Sequence, residues 1–211
     1  PGQLYRATLP TSAKNPIHLN HRVPVRPATP AALVKKIYPT ADQLPANLLK
    51  FYIHFSKPMR EGKTIFDQIH LLDADGKQVE DPWRRTELWN DDATRLTLWI
   101  HPGRIKEGVN LRDEFGPVLE PNRKYSLVIS EKFLDADGQP LGKPFRKIYQ
   151  TTAVLQKALD LNAWQIKSPR AGSHEALEVR FPLSLDRALL DRFLTVTDAA
   201  GNEITGRITV G

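Results

Sequence analysis

Cysteine is absent from all 211 residues, which excludes disulfides, thiolate metal sites and a cysteine nucleophile. Methionine occurs once, and no stretch reaches the ~18 consecutive apolar residues of a membrane-spanning helix. Acid is missing from the first 41 residues, Asp42 being the first carboxylate, while Arg6, Lys14, Arg22, Arg26, Lys35 and Lys36 all fall before it. Setting those six aside leaves 24 cations against 24 acids, so the net charge of +6 belongs to the leader. The pI near 9.6 is therefore a local property. It does not mark a nucleic-acid-binding face, for which basic and aromatic residues would have to interleave. Catalytic signatures are missing too: no G-x-S-x-G, H-E-x-x-H, Walker loop or G-x-G-x-x-G occurs.

Seventeen prolines and twelve glycines favour many short elements joined by turns. Seven of the prolines stand within the first 39 residues, too closely spaced for a helix. Residues 1–33 are thus expected to form a basic, Pro-rich extended arm, solvated, lying along its own domain, or touching an anionic surface. Residue 1 is Pro, and the expectation is a chain processed or cut from something longer.

Beyond the arm, apolar residues alternate with polar ones. Phe51, Ile53 and Phe55 alternate with Lys50, Tyr52 and His54, and Leu96, Leu98 and Ile100 with Thr97, Trp99 and His101. Tyr125, Leu127 and Ile129 form a third row. Successive side chains of a strand point to opposite faces, so each row is core-facing, with Phe55 and its later counterpart Phe181 expected inside. Between the rows stand Asp73-Ala-Asp-Gly76, Asn90-Asp-Asp92 and Asp135-Ala-Asp-Gly138, sequences suited to hairpin turns. A helix is expected only around 154–161, as a connector.

The pattern is written twice. Leu177, Val179 and Phe181 match Phe51, Ile53 and Phe55 at an offset of 126, and Asp198, Gly201 and Ile204 match Asp73, Gly76 and Val79 at 125. Strand rows, turn and spacing recurring in one order argue for an internal repeat. The second copy stops early, without counterparts of the strands near 96–101, 125–129 and 148–152. A half-sandwich leaves edges unpaired. The expectation is that the natural protein continues past Gly211, or that another chain or the first domain completes the sheet.

Further residues carry a family likeness. Phe55-Ser-Lys-Pro-Met59 ends a strand, a D-x-D-G turn follows, then an x-L-T-L strand at 94–98, a Y-x-L-x-I strand at 125–129, a second D-A-x-G turn, and a closing strand ending Thr151-Thr152. This order resembles bacterial immunoglobulin-like domains of the S-layer and surface-protein type, completely over 34–152 and in part over 164–211. The resemblance implies tandem Ig-like antiparallel β-sandwiches, all-β, the second incomplete, after the extended arm and joined by a linker at 153–163. It also implies an extracytoplasmic spacer, wall or adhesion module, working with a protein partner or further domains. The family shares no catalytic residues, so neither enzyme activity nor a cofactor is expected. The insert 104–116 is longer than the family pattern leads one to expect.

The candidate binding residues are Tyr52, His54, Trp99 and His101, all on outward rows. If their strands are neighbours, they form one exposed cluster able to stack a sugar or hold a metal, although zinc lacks a third ligand here. This supports an alternative reading as a carbohydrate-binding or accessory module of a sugar-active enzyme. The D-A-D-G sequences invite calcium, but each offers two acids where a hard cation needs six to eight oxygens. Hairpin turns explain them better.

Overall fold

Where the sequence alternates, the backbone is extended. The computed structural model describes residues 3–9, 17–23, 29–105, 108, 110–156, 160–183, 185–186, 190 and 194–209. The chain forms two units, Pro1–Ala31 and Ala32–Gly211. In the first, β1 (Leu4–Leu9) pairs antiparallel with β2 (Ile17–Arg22), Leu4 opposite Arg22 and Leu9 opposite Ile17. The arm is extended, and it is also paired. Neither six-residue stretch contains proline, so each backbone amide is free to join the ladder. Pro10, Pro16, Pro24 and Pro27, with Lys14 and Arg26, lie outside the described residues.

The second unit contains a two-sheet sandwich. One sheet has the order β3 (Val34–Tyr38), β5 (Lys50–Phe55), β7 (Arg95–Trp99), all antiparallel. The other runs β4 (Gln43–Pro45), β9 (Phe145–Thr152), β8 (Lys124–Ile129), β6 (Ile69–Leu72). Only the β4–β9 pair in that sheet is parallel. The chain changes sheets between β3 and β4, and this connectivity is immunoglobulin-like. The three expected rows meet in one core: Phe51, Ile53, Leu96, Leu98, Leu127 and Ile129 are fully enclosed, with Phe55 and Tyr125 nearly so. Burying each such side chain stabilises by roughly 1.5–3 kcal/mol. At the start of β8 the Tyr125 hydroxyl accepts a bond from the Glu120 amide at 2.9 Å, the tyrosine corner of this architecture.

Strand β9 departs from simple alternation. Its inward row is Phe145, Lys147, Tyr149 and Thr151, while Ile148 faces solvent. The Lys147 ammonium donates to the carbonyls of Thr40 (2.9 Å) and Ala41 (3.0 Å), just where the chain changes sheets. Burial pulls its pKa below the ordinary lysine value, against the opposing charge of Asp42.

The D-A-x-G turns share one hydrogen-bond plan. Asp73 Oδ1 accepts from the amides of Asp75 and Lys77 at 3.0 and 2.9 Å. Asp135 does the same for Asp137 and Gln139, and Asp198 for Ala200 and Asn202. The glycine of each, Gly76, Gly138 and Gly201, has φ between +79° and +86°, the left-handed region that glycine enters without a Cβ penalty. The ladder bond beyond the turn recurs as well, from Val79 to Leu71 and from Ile204 to Val196. The aspartates are thus used inside their own turns, as the hairpin reading requires.

The insert 104–116 contains a short helix, α1 (Asn110–Phe115). Its anchor is Arg104, only 7% exposed, whose guanidinium donates to the carbonyls of Glu80, Asp81, Phe115, Gly116 and Pro117. Burial lowers the pKa of this guanidinium, with Asp81 and Glu80 acting against that. Around 154–161, residues 154–156 are irregular, residues 157–159 lie outside the described residues, and a 3-10 turn spans Leu161–Ala163. Leu155 is tied to Asn47, which accepts from its amide at 3.0 Å and donates to its carbonyl at 2.8 Å. The chain then forms β10 (Gln165–Lys167) and β11 (Glu178–Arg180), an antiparallel pair. Phe181, expected in a core, is half-buried and packs edge-on against Trp164 at 4.6 Å, because no second layer covers it among the described residues.

Candidate interaction site

The outer face of the β3–β5–β7 sheet collects the outward rows. Antiparallel register sets Trp99 opposite Lys50, Thr97 opposite Tyr52 and Arg95 opposite His54. Lys50 lies between two aromatic faces, its ammonium 5.0 Å from the Trp99 ring centre and 5.3 Å from that of Tyr52. Such contacts stabilise by about 0.5–2 kcal/mol each, more as water is excluded. Asp186, from the C-terminal segment, closes the arrangement. One carboxylate oxygen stands 2.6 Å from the Lys50 ammonium, and the other accepts a bond from the Tyr52 hydroxyl at 2.7 Å.

Electrostatics follow from that geometry. Burial works against the Lys50 ammonium, but hydrogen bonds to Asp186 and Tyr52 outweigh it, and its pKa stands above the ordinary lysine value. Burial pushes the Tyr52 phenol up, Lys50 pulls it down, and Asp186 adds to a net rise. Both groups therefore hold their protons more firmly here than in the free chain.

Of the four candidates, Tyr52 and Trp99 meet around Lys50, but Tyr52 is only 6% exposed under the C-terminal segment. His54 lies farther along the same face, edge-on to Tyr38 at 5.3 Å. His101 follows the end of β7, and its Nδ1 is buried without a hydrogen-bond partner, as is the Trp99 indole nitrogen. The four do not form one open platform, because this face carries another part of the chain. Of the remaining tryptophans, Trp83 is a core residue donating to the Ile69 carbonyl at 3.0 Å, and Trp89 packs on Phe55 and Phe133. Among the described residues no group of three or more histidine or acidic side chains is placed to hold a metal.

Among the similar chains are a bacterial surface-layer protein and a bacterial macroglobulin. Native α2-macroglobulin of E. coli shares 17% identity at a TM-score of 0.37, over 59% of this chain and 6% of that one. The N-terminal part of the bacterial S-layer protein SbsC shares 14% identity at 0.39, over 83% and 33%. Domains 1–6 of SbsC share 12% at 0.41, over 82% and 19%. The chain spans a third or less of the length of these structures. No protein-family model matches the chain, and no curated protein matches it.

Sequence reasoning missed Lys50 and Asp186 as partners. Lys50 was visible on the outward row beside Tyr52; Asp186, 134 residues from Tyr52, sits in no motif. Next to their contact, a cleft of about 1470 Å³ separates the sandwich from the C-terminal segment. Leu44, Leu48 and Tyr52 line it on one side, and Trp164, Val179 and Phe181 on the other. Its walls are mostly apolar, and β11 pairs with β10 alone among the described residues. The arrangement offers an apolar surface and a free strand edge.

Proposed function

We propose that this chain is a non-enzymatic, extracytoplasmic structural and interaction module, in which 34–152 is a complete Ig-like sandwich and 164–211 a partial second one. It works within a larger surface or periplasmic protein or assembly, and a partner or a further part of the same protein adds a strand to β11. The observation that carries this reading is the free edge of β11 beside the apolar cleft. In the sandwich, β5 pairs with both β3 and β7. At the repeat offset β11 corresponds to β5 and, among the described residues, has only the β3 counterpart, β10. An added extended segment would supply the missing ladder and cover Leu177 and Val179, the common mode of peptide capture at a sheet edge. The motif order that resembles S-layer-type domains supports the extracytoplasmic placement.

A peptide of sequence TRLTLWI, the stretch 94–100 that pairs with β5, tests this on the full chain. It is expected to bind, to change the fluorescence of Trp164 and to slow amide exchange at Val179 and Phe181, whereas a scrambled peptide is not. Equal behaviour of the two peptides, or an edge of β11 already protected before addition, would refute strand capture.

A further inference from the structure

The N-terminal hairpin has two unlike faces. Opposed residues of an antiparallel pair project to the same side, so Leu4 with Arg22, Arg6 with Asn20 and Thr8 with His18 share one face. The last two pairs are bonded across the strands, Arg6 Nε to Asn20 Oδ1 at 3.1 Å and Thr8 Oγ1 with His18 Nδ1 at 3.0 Å. The other face carries Tyr5, Ala7 and Leu9 opposite His21, Leu19 and Ile17. Tyr5, Leu9, Ile17 and Leu19 are 55–65% exposed. A two-stranded hairpin is marginal in water without something against its apolar side.

Charge narrows what that something is. Residues 1–31 contain four cations and no acid. The rest of the chain carries 26 cations against 24 acids, so a second copy offers no complementary field. A fully hydrated polyanion answers the charge but leaves the apolar face in water. An anionic bilayer surface answers both: its acyl boundary takes up the apolar side chains, and its negative surface potential, which reaches about a Debye length, acts across the thin hairpin on the arginines of the far face. We propose that the hairpin docks its apolar face on an anionic lipid surface. This stands apart from strand addition at β11, since the hairpin is a separate unit.

Flotation of the full chain with vesicles tests it. Binding is expected with equal parts of phosphatidylglycerol and phosphatidylcholine, not with phosphatidylcholine alone, and it should weaken as salt shortens the Debye length from about 10 Å toward 3 Å. Leu9→Asp and Leu19→Asp should each weaken partitioning roughly tenfold or more. Arg6→Gln and Arg22→Gln should each cost about fivefold. The doubly substituted Arg6→Lys, Arg22→Lys chain keeps the charge and should bind like the original, and so should Ile148→Asp, which alters an exposed apolar residue of the sandwich. Equal binding to both vesicle types, or unchanged binding by the Leu variants, overturns the proposal. So does capture by dextran sulfate that the Leu variants retain without vesicle binding, which assigns a soluble polyanion. A concentration-dependent dimer that Leu19→Asp dissolves, with no vesicle binding, assigns a second copy instead.

Discussion

Phe55 shows what one side chain contributes to this sandwich. It is nearly enclosed and stacks against Phe133 at 5.3 Å and Trp89 at 6.0 Å. Removing it leaves a cavity in the shared core, so Phe55→Ala is expected to cost about 3–5 kcal/mol in urea denaturation. Phe181 occupies the matching place in the repeat but is half-buried. Phe181→Ala should therefore cost less than about 2 kcal/mol. Equal losses at the two positions would mean that the C-terminal segment has a core like that of the sandwich.

At the scale of elements, the insert 104–116 depends on a single cation. Five carbonyls converge on Arg104. Arg104→Lys keeps the charge but not the planar fork, and it strands several of these acceptors. Both Arg104→Lys and Arg104→Ala are expected to destabilise by about 2–3 kcal/mol and to open the insert to limited proteolysis. Cleavage patterns unchanged in Arg104→Lys would contradict that role. This anchor was not legible beforehand, because a lone arginine after Pro102-Gly103 reads as a surface residue. The rows through Phe51, Leu96 and Tyr125 were legible, since period two survives wherever one face is buried. Lys147 broke the rule in β9 because carbonyls freed by the change of sheet needed a donor, and that need is visible only once Thr40 and Ala41 are placed beside it.

For the whole molecule, Lys50, Tyr52 and Asp186 join the C-terminal segment to the sheet. The pKa values of Lys50 and Tyr52 are both raised in the folded chain. Their contribution is complete below the free values of about 10.4 and 10, and it is lost as pH rises through the folded values. Tryptophan fluorescence should accordingly stay flat from neutrality to about pH 9 and then change as Trp99 and Trp164 lose their settings. Asp186→Asn should weaken the junction by about 2 kcal/mol and flatten the alkaline step. A step of the same size in that variant would locate its cause elsewhere. The junction itself lay beyond sequence reasoning. Lys50 and Tyr52 share a strand, but nothing near Asp186 announces a partner so far back along the chain.

The single parallel pairing in the sandwich also has a mechanical meaning. Strand β4 is reached from the N-terminal side and β9 leaves toward the C-terminal side, with Gln43 beside Gln150 and Pro45 beside Thr152. Tension applied between the start of β4 and the end of β9 would slide these strands lengthwise past each other. The bonds from Gln150 to Asp42 and from Ala46 to Thr152 are then strained together instead of peeling open in turn. Loaded this way, the pair would resist as a stiff link rather than unzip.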